Sequence, residues 1–262
     1  MTNSVYVTGA TGYVGKYLCK KLSEQGMLTQ PIRLFRDGKL QRIDKRLQLD
    51  TGCTVIHLSE NANSNTRAVA KEELQIATEN VRTLMKSSER VIYFSSAAIY
   101  NPLVPVFHDE QSTKFANTSY AQFKIRIENE LRKEKDLILR PTNIYSNVVK
   151  RGTVLGDLVE SYEKTGQAHL KNPSFELDFV NLEYISKLVL IAITNNVHGT
   201  INCATGTLVS GKSLIKAIGG QPATHEPLSS PYDNHKFRTL LGLDRIPNIL
   251  DEMKNGESIC LT

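Results

Sequence analysis

The segment from Val5 to Leu18, VYVTGATGYVGKYL, constrains the fold more than any other stretch of this chain. A short apolar run is followed by glycines at Gly9, Gly12 and Gly15, and an apolar pattern of helical period then begins. A turn from strand into helix needs tight dihedrals and close backbone approach, which glycine supplies. The helix it opens presents unpaired N–H groups and the positive end of its dipole, an arrangement that favours a phosphate. Spaced glycines alone say little. Flanked by a strand and a helix, they form the context that a dinucleotide-binding turn requires.

Further apolar runs bounded by glycine or polar clusters predict strands near 4–8, 31–35, 54–59, 91–95, 137–140 and 200–204. Helical periodicity lies between them, with Leu74, Ala77, Val81 and Leu84 at steps of three and four, and again over 182–193. Alternation of strand and helix demands crossover connections, and therefore a parallel sheet with helices on both faces. The stretch between the second strand and Thr54 is too short for a full strand–helix unit, so that unit is expected to be trimmed. At 262 residues the chain can bury one sizeable core. A net charge of +5, spread over scattered Lys and Arg, gives no nucleic-acid surface. Cys19, Cys53, Cys203 and Cys260 are widely separated without histidines at ligand spacing, so free thiols and no metal site are expected. The early first strand and the lack of long apolar stretches predict no signal peptide, no membrane span and a cytoplasmic location.

Four segments in one order resemble the extended branch of the short-chain dehydrogenase/reductase superfamily, the nucleotide-sugar epimerases, dehydratases and reductases. They are the Gly-x-x-Gly-x-x-Gly turn; the run from Val91 to Tyr100, VIYFSSAAIY; Tyr120 with Lys124 and Glu128; and the run from Leu139 to Tyr145, LRPTNIY. The resemblance implies an α/β fold, a Rossmann-type doubly wound parallel sheet with a small C-terminal substrate lobe. The dinucleotide-binding domain would be 1–145, resuming at about 178–204, with the lobe formed by 146–177 and 205–262. It also implies a nucleotide-sugar substrate, with a homodimer left open.

Tyr120 and Lys124 are four apart and share a helix face. An ammonium beside a phenol favours its ionised form, lowering a pKa that is otherwise about 10. Such a phenol can exchange a proton with a substrate oxygen while a nicotinamide exchanges hydride. By the resemblance Tyr120 is the general acid/base, Lys124 also holds the nicotinamide ribose, and Ser96 hydrogen-bonds the reacting oxygen, with neighbouring Ser95 structural or near the cofactor. The cofactor positions it implies are Gly9, Thr11, Gly12, Tyr13, Val14 and Gly15 in the turn, Leu58 and Ser59 at the end of the third strand, and Arg36. An arginine at the end of the second strand accommodates the extra phosphate of NADP, whereas a carboxylate there pairs with the ribose of NAD. NADP is therefore expected, with NAD the alternative. Substrate contacts fall to Ser96, Tyr120 and Asn143.

Three features depart from the family pattern. Dehydratases of the family carry an acidic pair directly after the serine; here Ala97 and Ala98 disfavour dehydration. The arginine usually found before Asp178, which grips the substrate diphosphate, is Leu177, leaving Lys150, Arg151 or Lys171 for that task. The segment from Gly206 to Ser213, GTLVSGKS, matches the P-loop pattern, but no convincing strand with a magnesium-binding acid follows, and Ser213 reads as a helix-start residue. The leading expectation is an NADP-dependent reductase of a nucleotide-linked 4-keto sugar. Its rivals are an epimerase that retains NAD and a non-catalytic NADP sensor, the latter opposed by the intact Ser96, Tyr120 and Lys124 set.

Overall fold

The computed structural model describes residues 4–60, 70–100, 107–115, 118–170, 173–219, 228–255 and 259–261. A six-stranded sheet is built from β1 (Val5–Thr8), β2 (Thr29–Ile32), β3 (Thr54–His57), β4 (Arg90–Phe94), β5 (Leu137–Pro141) and β6 (Gly199–Cys203). Its spatial order is β2-β1-β3-β4-β5-β6, and the ladders from β2 through β5 are parallel. The chain runs from β1 outward to β2, then returns past β1 to β3. That reversal is the switch point at which ligands bind in open α/β sheets, beside the carboxyl ends of β1 and β3.

Strands β1, β3, β4 and β5 are buried along their whole length, as expected for a parallel sheet covered on both faces. On one face Tyr6, Val55, Val91, Tyr93 and Ile138 pack with Ala77, Val81 and Leu84 of helix α2 (Lys71–Ser87) and with Phe123 and Ile127 of α3 (Ser119–Glu128). Helix α1 (Tyr13–Glu24) follows β1 and buries Gly15, Leu18 and Leu22. Among the described residues no helix is long and apolar enough to cross a membrane. All four cysteines are free thiols.

The second strand differs from the sequence expectation of 31–35. It is Thr29–Ile32, with Pro31 paired opposite Val7. A proline is tolerated there because β2 is the sheet edge, where its missing N–H faces no ladder. The apolar run continues instead into a small hairpin, Phe35–Arg36 against Lys39–Leu40, turned by Asp37 and Gly38 at φ 50° and 73°. No helix follows before β3 among the described residues, so this crossover is trimmed. Buried Asn80 of α2 ties the stretch down, accepting from the Ile43 N–H and donating to the Gln41 carbonyl, both at 2.8 Å.

Contacts divide the chain into two units: one within 1–105, 110–140 and 186–201, the other within 106–109, 141–185 and 202–262. The second unit has its own core, in which Tyr145, Leu155, Leu158, Phe179, Val209, Leu214 and Ile249 are buried together. Its helices include Val154–Thr165, Gly211–Ile218 and Ile249–Lys254, with short strands Asn143–Tyr145 and Phe179–Asn181 paired in parallel.

Candidate active site

The glycine turn is shaped by contacts that exclude side chains. Gly9 has φ 70°, and a Cβ there would lie 3.1 Å from the Leu58 carbonyl carbon and the Ser59 nitrogen. A Cβ on Gly15 would lie 2.1 Å from the Gly9 oxygen, so helix and turn touch through backbone alone. The Gly12 N–H closes the turn on the Gly9 carbonyl at 3.0 Å. Helix α1 then starts with Gly12 as its N-cap and no side chain capping it. That open, positively polarised end fits a phosphate.

Thr8 locks β1 to β3 below the turn. Its Oγ1 accepts the N–H groups of Leu58 and Ser59 at 3.0 and 3.1 Å, so its own proton goes to His57 Nδ1 at 2.8 Å. The ring proton of His57 then sits on Nε2, which is buried without a protein partner. Burial pulls this imidazole down to about 4, so it is neutral near pH 7. Leu58 and Ser59 thus adjoin the glycine turn, and Thr11, Tyr13 and Val14 form its rim and the first helical residues.

At the end of β4 the two serines part company. The Ser95 hydroxyl is buried with no hydrogen-bond partner. Ser96 is half-buried and caps a single 3₁₀ turn, Ala97–Ile99, by accepting the Ala98 N–H at 3.1 Å. A hydroxyl that accepts in this way keeps its proton free to donate. Helix α3 packs against that turn. Thr118 caps the helix by accepting the Ala121 N–H, which places Tyr120 in the first turn and Lys124 one turn later.

Lys124 Nζ lies 5.7 Å from the centre of the Tyr120 ring and 5.0 Å from that of Tyr93. It donates to the Phe94 carbonyl at 2.7 Å and forms an ion pair with Glu60. The other Glu60 oxygen accepts the Tyr93 hydroxyl at 2.6 Å. Burial by itself would push the ammonium down, but the adjacent Glu60 carboxylate outweighs this and holds it above the ordinary lysine value. The Tyr93 phenol is raised well above its usual range by burial and by Glu60. Sequence reasoning missed Glu60. The available signal was an acid directly after an apolar strand, at the strand end where this fold binds ligands.

The family model for the NAD dependent epimerase/dehydratase family matches residues 5–204, most of the chain. The chain belongs to this family. Its members are enzymes of the extended short-chain type. A search of curated protein sequences gave no match. Solved structures share the family fold at low identity. MoeE5 in complex with UDP-glucose and NAD superposes with a TM-score of 0.75 at 17% identity, covering 96% of each chain. TunA, an NAD-dependent NDP-hexosamine 5,6-dehydratase involved in tunicamycin biosynthesis, gives 0.75 at 14%, covering 97% of this chain and 96% of its own. UDP-N-acetylglucosamine 4-epimerase from Bacillus cereus gives 0.72 at 16%, covering 96% and 95%.

Other expected residues of this epimerase/dehydratase-family member fall elsewhere. Arg36 does not end the second strand; it lies four residues beyond it, exposed, in the small hairpin. In the second unit Asn143 donates its side-chain amide to the Asp178 carbonyl at 2.9 Å. The buried Asp178 carboxylate accepts from Thr142 Oγ1, from Thr205 N and Oγ1, and from Gly206 N, at 3.0–3.1 Å. Burial nevertheless pushes its carboxyl up. Asp178 is thus a brace between segments. Leu177 sits in the short strand Glu176–Leu177, against Val209. Lys150 and Arg151 are exposed before helix Val154–Thr165, and Lys171 lies outside the described residues.

The P-loop match folds as something else. Thr207–Ser210 is an extended strand inside the motif, not a loop wrapped for phosphate. Ser210, not Ser213, is the N-cap of the following helix, accepting the Ser213 N–H at 3.2 Å.

Proposed function

We propose that this protein binds a nicotinamide dinucleotide along the glycine turn and performs hydride chemistry on a nucleotide-linked sugar. The observation that carries this reading is the pairing of an uncapped, glycine-cradled helix end with Tyr120 and Lys124 in the same unit. The orphaned Ser95 hydroxyl fits a polar ligand at the end of β4. When bound, a nicotinamide supplies or accepts the hydride. Tyr120 carries the proton to or from the sugar oxygen. Lys124 stabilises charge on that phenol and contributes a donor to the cofactor ribose. Ser96, whose own proton is uncommitted to Ala98, donates to the reacting oxygen. Asn143 is a substrate contact by family resemblance, and residues 146–177 and 205–262 form the substrate lobe. We place the protein in the cytoplasm.

Ala97 and Ala98 supply no acid or base, which argues against dehydration even though TunA is a dehydratase. Two versions of the chemistry remain. An epimerase that retains NAD is supported by the position of Arg36 beyond the β2 end, and by solved relatives that hold NAD with UDP-sugars. A reductase of a 4-keto sugar using NADP rests on the exposed Arg36 cation.

The test is Tyr120→Phe, which keeps the ring and removes the ionisable oxygen. Loss of a general acid/base costs about 10²–10⁴-fold. Turnover of a panel of UDP-sugars and nucleotide 4-keto sugars should fall by that factor while dinucleotide binding stays near wild type. Wild-type turnover in the variant would remove Tyr120 from the mechanism. Net NADPH oxidation by the wild type identifies the reductase; sugar interconversion without net redox, together with copurified NAD, identifies the epimerase.

A further inference from the structure

Glu60 lies outside the glycine turn and the Ser96, Tyr120 and Lys124 set, yet it occupies an inhospitable place for a charge. Its side chain is 4% exposed, and Lys124 opposite it is 6% exposed. A lone carboxylate or ammonium buried to this degree is strongly disfavoured. The two are held together from segments 64 residues apart, one following β3 and one on α3. The arrangement is directional as well as charged. Glu60 accepts from Tyr93 with one oxygen and pairs with Lys124 through the other, and the Phe94 carbonyl takes a second ammonium proton. Two of the three Lys124 donors are thereby aimed by the protein, and the remaining one is available to a ligand.

We propose that Glu60 is a positioning residue for Lys124, holding its ammonium charged and oriented beside Tyr120. The proposal rests on the reading that Lys124 serves the dinucleotide and the phenol. Without the carboxylate, burial would favour the neutral amine, and Lys124 would lose both its hold on the cofactor ribose and its influence on Tyr120. The groups that face the pair are Tyr120 and Glu128 from α3, Tyr93 from β4 and His57 from β3. His57 is uncharged near neutrality, Tyr93 keeps its proton, and Glu128 is committed to Arg140 and Lys114. None of these can replace Glu60 as the counter-charge.

The experiment compares wild type with Glu60→Gln, which keeps the size and one acceptor oxygen, replaces the other oxygen by an amide NH2, and removes the charge. Protein labelled with ¹³C at the lysine ε-carbon is titrated by NMR from neutral to alkaline pH, with the Lys124 signal identified by its absence in Lys124→Met. In Glu60→Gln the Lys124 midpoint should fall by roughly one pH unit or more. NADH affinity, followed by fluorescence, should then weaken at least about tenfold as pH rises through the lowered midpoint, while wild type holds its affinity across the same range. Equal midpoints in the two proteins would overturn the proposal. So would a lowered midpoint with unchanged NADH affinity across it. Wild type that binds no dinucleotide would instead remove the functional reading, and the NMR comparison would still decide whether Glu60 keeps Lys124 charged. If Glu60→Gln does not fold, Glu60→Gln/Lys124→Met removes the stranded charge and should melt closer to wild type than the single variant. A double variant that is no more stable would overturn the proposal as well.

Discussion

The glycine-punctuated segments 9–15 and 206–213 both lead into a helix, yet only one has the architecture of an anion site. In the first, the strand ends before the glycines, and the space between Gly9 and Gly15 is closed by backbone against backbone. The helix that follows has no side-chain cap, so no capping side chain competes with a ligand at its N-terminus. In the second, the strand lies between the glycines, and Ser210 caps the helix. The Gly206 N–H is already spent on the Asp178 carboxylate. What separates the two is where the orphan donors of the helix go. A motif gives residue types; the hydrogen-bond partners decide whether a ligand is needed.

The largest effect should come from breaking the first segment. In Gly15→Ala the new methyl would meet the Gly9 oxygen at 2.1 Å and the Ala10 Cα at 2.8 Å, both backbone, with no flexible side chain to yield. Turn and helix must move apart, at about 1–3 kcal/mol in stability. Dinucleotide affinity should fall more than about tenfold, since each kcal/mol lost from the phosphate contacts multiplies the dissociation constant. Denaturant melts and a fluorescence titration with NADH check both effects. An alanine variant that binds like wild type would show that the cradle is not the cofactor site.

Gly206→Ala tests the other segment and should cost less. Gly206 has φ 82°, a conformation costing an L-residue about 1–2 kcal/mol. The nearest obstacle is the Asn234 side-chain nitrogen at 2.9 Å, which can rotate away at the expense of its 3.2 Å bond to the Ala204 carbonyl. The expected outcome is a loss of thermal stability without loss of NADH affinity. Equal damage to both would mean that the two segments act on one ligand. Ser210→Ala is milder still. Removing this cap should cost about 1 kcal/mol, measurable as a lower denaturation midpoint with ligand affinity intact.

The same contrast explains what could be read from residues in order along the chain. Alternating apolar runs placed the strands of the sheet within a few residues, because a fully buried parallel strand must be apolar throughout. The Tyr120 and Lys124 pair was legible because four residues make one helical turn. Arg36 was misplaced because Leu34 and Phe35 extend the apolar run past the true strand end at Ile32. The positive φ of Asp37 and Gly38 and the antiparallel pairing across them show that the chain has turned into a hairpin, and the Asp-Gly pair is the local signal for it. The partner of Glu60 was hidden for a different reason. The acid takes its meaning from Lys124, 64 residues away, and no local periodicity connects them. Asp178 is similar: its partners Thr142 and Thr205 come from distant segments, and only their convergence makes it a brace.

The smallest expected effect belongs to Lys212, and it is the sharpest test of the comparison. In a working P-loop the lysine reaches the terminal phosphates and its loss abolishes binding. Here Lys212 is exposed in the first turn of helix Gly211–Ile218, where a cation opposes the positive end of the helix dipole. Lys212→Ala removes no buried contact, so stability should change by no more than about 0.5 kcal/mol in either direction. Because alanine is the better helix former and the unfavourable charge is gone, the sign should lean toward stabilisation. Dinucleotide affinity should be unchanged, and neither protein should hydrolyse ATP with magnesium. Hydrolysis by wild type that disappears in Lys212→Ala would assign nucleotide chemistry to the second segment despite the strand inside it.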